Sequence, residues 1–180
     1  MPYAVELFFD QRTDTAVRSL WQWLADEGIA TYMASSGSVP HVSLGVFDEA
    51  DEERLTGVIR QLAATSPPLS LAFNEIEGFV STGVLFLAPE TSPELQSLHD
   101  RFCELLGPDL DTMWSLYKSD SWVPHCTLAM ELHPCSRHLI NEMRRALLEH
   151  IEVPWPAIVE RIGLVKFRPV EQRISFSLGG

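Results

Sequence analysis

The sequence predicts an α+β fold built from two similar halves. Apolar segments typical of strands alternate along the chain with stretches whose apolar residues have helical spacing. A six-residue pattern, V-P-H-x-[ST]-L, occurs twice, at 39–44 and 123–128. Each copy follows a strand-like segment at a similar distance, since His41 lies 38 positions after Tyr3 and His125 lies 41 positions after Val84. We interpret this arrangement as an internal duplication whose halves face each other across one cleft.

The first half begins with an apolar strand at Tyr3 to Phe9. Apolar residues at helical spacing predict a helix from about Thr13 to Glu27, which ends at Gly28. After the first motif strand, the same kind of spacing predicts a helix from Asp51 to Ala63. The Pro67-Pro68 pair that follows is the candidate hinge between the two lobes.

The second half repeats this order of elements. In this half, Ser92 followed by Pro93 predicts a helix start, because serine caps free amides and proline suits the first helical position. The remaining predictions are a hairpin of Leu69–Phe79 and Val84–Ala88 around Ser81-Thr82-Gly83, a helix ending at Gly107, a helix from about Ser136 to His150, and strands at Ala157–Phe167 and Arg173–Leu178.

Length and composition predict one domain over residues 1–180, made of two intimate lobes at approximately 1–68 and 80–150, with the remaining strands completing the sheets. An apolar fraction of 46% with 21% charged residues is typical of a soluble globular protein. We expect no membrane role and no export signal. The three scattered cysteines, Cys103, Cys126 and Cys135, predict neither a disulfide framework nor a metal site, and we expect a cytoplasmic protein, monomeric by default.

The net charge of −12 bears on the class of ligand. Proteins that hold long nucleic acids contact many phosphates with lysine and arginine, and this chain has 13 basic residues, two of them lysine, against 25 acidic ones. We therefore expect no long duplex. A small phosphorylated ligand, or an RNA end held by a local basic patch, fits the composition better.

Both motifs are predicted to be strands, because they are rich in aliphatic residues and a proline favours extended backbone before it. Side chains alternate between the faces of a strand. His41 and Ser43 are therefore expected on one face, directed into a cleft, and His125 and Thr127 likewise. Cys126 is expected on the opposite, core-facing side.

These residues make the chain resemble the two-histidine phosphoesterase superfamily, in particular its branch of LigT-like 2′-5′ RNA ligases and cyclic phosphodiesterases. The motifs that carry the resemblance are the segments 41–45 (HVSLG) and 125–129 (HCTLA), and it covers nearly the whole chain. The resemblance implies two similar α+β lobes, each an antiparallel sheet backed by helices, with the motifs facing each other in a central groove. It also implies action on phosphodiesters of RNA ends or small nucleotides.

The chemistry of the motif residues agrees with that implication. Opening a cyclic phosphodiester needs a base for the attacking water and an acid for the departing ribose oxygen, and two histidines can hold opposite protonation states near neutral pH. His41 and His125 are the candidate base and acid, in an order that the sequence leaves open. Ser43 and Thr127 are candidates for donating hydrogen bonds to phosphate oxygens. The scheme requires no metal and no cofactor, and neither H-E-x-x-H nor C-x-x-C occurs.

Substrate contacts beyond the motifs are expected from aromatic and basic residues near them in the chain. A ring could stack on a base, and a cation could meet a phosphate. The candidates are Tyr32, Tyr117, Lys118, Trp122 and Arg168. The other four histidines, His99, His133, His138 and His150, are expected to be surface or helix-end residues.

Two alternatives use the same residues. The chain could be a binding module that keeps the groove for nucleotide or RNA recognition without turnover. It could also be a phosphodiesterase that leaves a 2′,3′-cyclic phosphate after attack by a neighbouring ribose hydroxyl. Intact histidines and hydroxyls in both motifs favour an enzyme over a pure binder, because binding alone needs no pair of titrating groups.

Overall fold

The computed structural model describes residues 2–179, which form seven strands and five α-helices. The strands are β1 (Tyr3–Phe9), β2 (His41–Phe47), β3 (Leu69–Phe79), β4 (Val84–Pro89), β5 (Cys126–Ala129), β6 (Trp155–Lys166) and β7 (Glu171–Ser177). The helices are α1 (Gln11–Asp26), α2 (Tyr32–Ser35), α3 (Glu52–Ala64), α4 (Pro93–Leu106) and α5 (Arg137–Leu147). The sequence analysis did not predict α2 or the 3-10 helices at Gly107–Thr112 and Ser115–Tyr117.

Side-chain caps explain where the helices begin. Ser92 accepts a hydrogen bond from the backbone N–H of Leu95 at 3.1 Å, which confirms the predicted start of α4. Helix α1 starts at Gln11, two residues before its predicted start. The reason is Asp10, whose carboxylate accepts from the backbone N–H of Thr13 at 3.0 Å and so caps the earlier turn.

All strands pair antiparallel in one sheet with the order β2-β1-β6-β3-β4-β5, and β7 also pairs with β6. Strand β6 belongs to both halves. Its residues 155–159 pair with β3, its residues 159–166 pair with β1, and its residues 161–166 pair with β7. Strand β6 is long enough for this, because its 12 residues extend about 40 Å. Strands β3 and β7 can therefore pair with it one after the other along its length.

The predicted α+β fold, with an antiparallel sheet backed by helices, is confirmed. The strands form one continuous sheet and not a separate sheet in each lobe, because β6 pairs with strands of both halves.

The two halves repeat in detail around the motif strands. Apart from the short helix α2 and the two 3-10 helices, each half runs strand, helix, motif strand, helix: β1, α1, β2 and α3 in the first, and β4, α4, β5 and α5 in the second. Each motif strand also has a β-bulge immediately after its hydroxyl residue, at Leu44 and Leu128. The pairs that flank the bulges are Val5 with Gly45 and Glu6 with Ser43 in one half, and Leu85 with Ala129 and Phe86 with Thr127 in the other.

The core lies where the apolar faces of the helices pack on the sheet, and its largest fully buried side chains include Phe47, Phe73 and Phe102. The expectation that His99 is a surface or helix-end residue is wrong. It lies within α4 and is completely buried, because its ring stacks on Trp122 and its Nε2 is 2.9 Å from the carbonyl oxygen of Tyr117. Within residues 2–179, no helix combines the length and apolarity needed to span a membrane.

Candidate active site

The four motif side chains lie together on one cavity of about 480 Å³. His41 and Ser43 come from β2, Thr127 comes from β5, and His125 immediately precedes β5. The two motifs are 84 positions apart in the chain, and β2 and β5 are the two ends of the sheet order. These two strands lie against each other, which brings the motifs to a common cleft. One half contributes one histidine and one hydroxyl, and the other half contributes the same set.

The residues between them point the other way. Val42, Leu44 and Cys126 are fully buried and Leu128 is nearly so, all in the core. Burial raises the pKa of the Cys126 thiol to about 12, so it remains protonated and apolar at neutral pH. The alternation along both strands therefore directs the histidines and hydroxyls into the cavity and the aliphatic residues into the core.

Both histidine rings are held in the same tautomer. Nδ1 of His41 lies 2.6 Å from the carbonyl oxygen of Val39, and Nδ1 of His125 lies 2.8 Å from the carbonyl oxygen of Val123. A carbonyl oxygen only accepts, so each Nδ1 carries a hydrogen and donates it. In each ring this leaves Nε2 as the nitrogen that gains or loses a proton.

The cavity lowers the pKa of both histidines. The main cause is burial, which disfavours the imidazolium form, and the backbone carbonyls of Val39 and Val123 oppose it in part. The positive charge of His41 lowers the pKa of His125 further, which indicates that the two rings are close enough to affect each other electrostatically. A state in which one histidine is protonated and the other is neutral is therefore favoured over a state in which both are protonated.

A model of the 2′-5′ RNA ligase superfamily matches residues 12–170. The chain belongs to the 2′-5′ RNA ligase superfamily. This superfamily consists of phosphoesterases and RNA ligases, which supports an enzymatic function. Among curated proteins, no sequence matches this chain.

Solved structures with the same fold as this superfamily member cover almost the whole chain. TT0787 of Thermus thermophilus is 18% identical, with a TM-score of 0.67 over 100% of this chain and 99% of the other. A protein described as a phosphoesterase is 14% identical, with a TM-score of 0.66 over 99% of each chain. E. coli LigT, solved with 3′-AMP, is 14% identical, with a TM-score of 0.60 over 100% of each chain. At these identities the likeness establishes the fold.

Glu6 is a cavity residue that the sequence analysis missed. It lies on β1, paired with Ser43, and its Oε1 is 3.4 Å from Nε2 of His41. The carboxyl is nearly inaccessible to solvent, and this burial raises its pKa to about 8. A signal was present in the sequence, because Glu6 is the one charged residue in the otherwise apolar segment 3–9.

The surroundings of His125 in this superfamily member are aromatic. The ring of Phe86 lies 5.2 Å from the imidazole, centroid to centroid, and the ring of Phe79 meets it edge to face at 5.4 Å. Phe86 is paired with Thr127, as Glu6 is paired with Ser43. The two histidines therefore have similar backbone anchors and different neighbours.

Three of the five other candidate substrate residues lie on the cavity: Tyr32, Tyr117 and Arg168. Tyr32 is at the rim and about two-fifths exposed, so one face of its ring is accessible. Burial raises the pKa of Tyr117 to about 12, with a smaller contribution from the charge of Glu6, while a hydrogen bond with the Ser43 side chain opposes the shift. Tyr117 is therefore a neutral hydroxyl beside Ser43 at physiological pH.

Unlike the other three candidates, Lys118 and Trp122 do not line the cavity. The Lys118 ammonium is 3.8 Å from the carboxylate of Asp111. Trp122 is buried, stacks on His99 with ring centroids 3.9 Å apart, and donates its indole N–H to the carbonyl of Ser43 at 3.0 Å. One face of the indole and its N–H are thus already occupied by contacts within the protein.

The rest of the lining is mostly apolar. Arg168 is the cation and Glu6 the carboxyl among the described residues that line the cavity. Exposed apolar side chains surround its mouth: Leu116, Val123 and Met130. Over residues 2–179, no three or more His, Cys, Asp or Glu side chains are arranged to hold a metal ion.

Proposed function

We propose that this protein is a phosphoesterase that hydrolyses, or in the reverse direction forms, a 2′,3′-cyclic or 2′-5′ phosphodiester. The observation that carries the proposal is the composite site, in which His41, Ser43, His125 and Thr127 line one cavity. Membership in a superfamily of phosphoesterases and RNA ligases supports it.

Each histidine has the equipment for proton transfer at Nε2. In hydrolysis, the neutral histidine takes a proton from water, and the water oxygen forms a bond to phosphorus. The bond from phosphorus to one ribose oxygen breaks, and the protonated histidine gives that oxygen its proton. Ligation or cyclisation runs these transfers in reverse. The scheme uses no metal, because the two imidazoles supply both the acid and the base.

Ser43 and Thr127 have the complementary role. Negative charge accumulates on the non-bridging phosphate oxygens as the fifth oxygen approaches, and a positioned hydroxyl donor stabilises it. Each hydroxyl lies two residues after its histidine on the same face of the strand, so one motif presents a proton-transfer group and a phosphate donor together.

The lining favours a small nucleotide or an RNA end as the substrate. Arg168 offers one positive charge for one phosphate, and Tyr32 with the apolar rim offers surface for a base. E. coli LigT, which shares the fold, has been solved with 3′-AMP, a ligand of this size and chemistry. A net charge of −12 opposes the approach of a long polyanion.

The direct test is turnover without added metal, in the presence of a chelator. The substrates are 2′,3′-cyclic nucleotides, ADP-ribose cyclic phosphate, and RNAs with cyclic or 3′-hydroxyl ends. We expect hydrolysis of one class, and a loss of roughly 10² to 10⁴-fold in kcat for His41→Asn and for His125→Asn, which is the usual contribution of a positioned acid or base.

His138→Asn is the matched control, because His138 is exposed on α5 and does not line the cavity. It should keep wild-type turnover. Near-wild-type rates from both His41→Asn and His125→Asn would contradict the proposal, and so would the absence of turnover on every substrate, which would favour a nucleotide-binding module.

We also propose that the protein acts as a monomer in the cytoplasm. One chain contributes all four motif side chains and the whole cavity lining, so the site needs no second copy. Cys103, Cys126 and Cys135 are all unpaired thiols, which suits a reducing compartment. Light scattering of the purified protein and fractionation of the source cells check these two statements, and a dimer or an exported product would contradict them.

A further inference from the structure

The two halves of the site differ at one pair of corresponding positions. Glu6 pairs with Ser43 and lies beside His41, whereas Phe86 pairs with Thr127 and lies beside His125. The bulges, the carbonyl anchors of Nδ1 and the hydroxyls are otherwise repeated. The first half therefore has a carboxyl next to its imidazole where the second half has an aromatic ring. This difference makes His41 and His125 chemically unequal.

We propose that Glu6 is a positioning residue for acid catalysis: its carboxyl holds the proton that His41 delivers to the leaving oxygen, so that His41 is the acid and His125 the base in the hydrolytic direction. This assignment rests on the proposed function.

The contact geometry carries the argument. Among the described residues, Glu6 is the one carboxyl next to Nε2 of His41, at 3.4 Å. The Glu6 side chain is buried, and that of His41 is only 18% exposed. An isolated carboxylate and an isolated imidazolium are each costly in such a place, but a single proton divided between the two groups leaves them either both neutral or mutually paired. The pair therefore keeps one transferable proton up to about pH 8, where the Glu6 carboxyl titrates.

The neighbours of His125 have the opposite effect. Phe79 and Phe86 offer no group that can accept a proton or pair with an imidazolium. Burial lowers the pKa of both histidines, but within the described part of the chain only His41 has a carboxyl beside it with which to share a proton. The charge of His41 disfavours a second positive ring as well. His125 thus has a free Nε2 lone pair near neutral pH, as a base requires.

Other titratable groups around the pair do not compete for this proton. Those on the cavity are Tyr32, Tyr117, His125 and Arg168, and Cys126 lies beneath it in the core. The raised pKa values of Tyr117 and Cys126, about 12 in both cases, keep these groups neutral at the pH where Glu6 titrates. Arg168 lines the same cavity and offers its guanidinium to the phosphate.

The proton balance of hydrolysis follows. His125 Nε2 gains a proton from water, the water oxygen bonds to phosphorus, and the bond to the ribose oxygen breaks. His41 Nε2 transfers a proton to that oxygen, and the pair is left as a Glu6 carboxylate beside a neutral His41. Solvent then removes the proton from His125 and returns one to the pair, which restores the starting state.

The test is a titration of the histidine rings by NMR, with histidine labelled at Cε1 and the His41 signal assigned by its loss in His41→Asn. In the wild-type protein we expect the His41 signal to respond to a step near pH 8, where Glu6 titrates, and the His125 signal to lack a step of that size. In Glu6→Gln the step disappears, and His41 titrates only below its ordinary value of 6.5. Glu160→Gln, an exposed carboxyl on β6, is the control and should leave both rings unchanged.

The second readout is the pH profile of kcat/KM. Glu6→Gln should lose roughly tenfold to a hundredfold at pH 8 and much less at pH 6, since only the alkaline side depends on the proton that Glu6 holds. A wild-type His41 signal without a step near pH 8 overturns the inference, and this measurement does not depend on the folding of any variant. A uniform loss across pH, with the step retained in Glu6→Gln, also overturns it.

The two proposals fail separately. Turnover with no coupling between Glu6 and His41 removes the role of Glu6 and leaves the phosphoesterase intact. If the His41 signal follows the titration of Glu6 but no substrate is turned over, the proposed phosphoesterase activity is contradicted and the proton shared by Glu6 and His41 is still supported.

Discussion

Trp21 and Trp122 each donate an indole N–H to the motif strand of the opposite half. Nε1 of Trp21, on α1, lies 2.9 Å from the carbonyl oxygen of Thr127, and Nε1 of Trp122 lies 3.0 Å from the carbonyl oxygen of Ser43. Strands β2 and β5 are the two ends of the sheet order and lie against each other. Carbonyls at strand edges need a donor when they are buried, and here the indoles supply it. These two hydrogen bonds hold Ser43 and Thr127 in position relative to the opposite half.

Removal of one of these donors should weaken both the fold and the site. We expect Trp122→Phe to lower the free energy of unfolding by about 1 to 3 kcal/mol, because the partly buried carbonyl of Ser43 loses its hydrogen-bond donor. The same variant should reduce kcat severalfold as Ser43 becomes less well positioned. Urea unfolding and steady-state kinetics measure the two effects, and Trp21→Phe should behave alike through Thr127.

Trp23→Phe is the matched control, because Trp23 lies on the same helix as Trp21 but contacts the ring of His150, away from the cavity. If Trp122→Phe and Trp23→Phe give the same unfolding curves and the same rates, the indole bonds do not stabilise the motif strands.

The burial of Glu6 predicts a stability that depends on pH. In the folded chain its pKa is raised from 4.5 to about 8, so between these values the folded state keeps a proton that the unfolded state has released. Stability therefore falls as pH rises through this range. Glu6→Gln removes that dependence and should stabilise the protein at pH 8 by up to about 4 kcal/mol, with little effect at pH 4.5. Denaturant unfolding at several pH values measures the difference, and an equal effect of the substitution at pH 5 and pH 8 would argue against a raised pKa.

Arg168 and Lys118 offer a paired test of the phosphate contact. Arg168 lines the cavity, whereas Lys118 faces Asp111 outside it. Arg168→Gln should raise KM about tenfold, the usual effect of one lost charge-assisted hydrogen bond, with a smaller change in kcat. Lys118→Gln should leave KM within about twofold. The reverse ranking in steady-state kinetics would place the phosphate elsewhere.

Gly45 and Gly57 should respond in opposite directions to alanine. A Cβ at Gly45 would lie 2.6 Å from Sδ of Met113 and 2.9 Å from the ring of Phe102, so Gly45→Ala should cost about 1 to 3 kcal/mol of stability. Gly57 lies on α3 with nothing within 4 Å of an added Cβ, and Gly57→Ala should stabilise by about 0.5 to 1 kcal/mol. Thermal unfolding of both variants measures these changes in stability. If Gly45→Ala leaves stability unchanged, the packing beside β2 can adapt to the added methyl group.

Local patterns explain the parts of this protein that were predictable from sequence. Alternation along a strand is a property of a few consecutive residues, so it predicted correctly that His41 and Ser43 face one side and Val42 the other. The cap at Ser92 is equally local, because its partner is the N–H three residues on. The position of a ring such as His99 depends on what packs against its helix, and the expectation that it is exposed was wrong.

The sequence by itself determined the α+β fold class and the residues of the two motifs, because both follow from periodicity and from a repeat within the chain. Only the tertiary structure decided which neighbours each motif has. The carboxyl of Glu6 meets His41 from 35 positions away, and the indole of Trp122 turns from the cavity toward Ser43, 79 positions away. Such contacts depend on strand register and on the packing of distant segments, and no pattern of neighbouring residues encodes them.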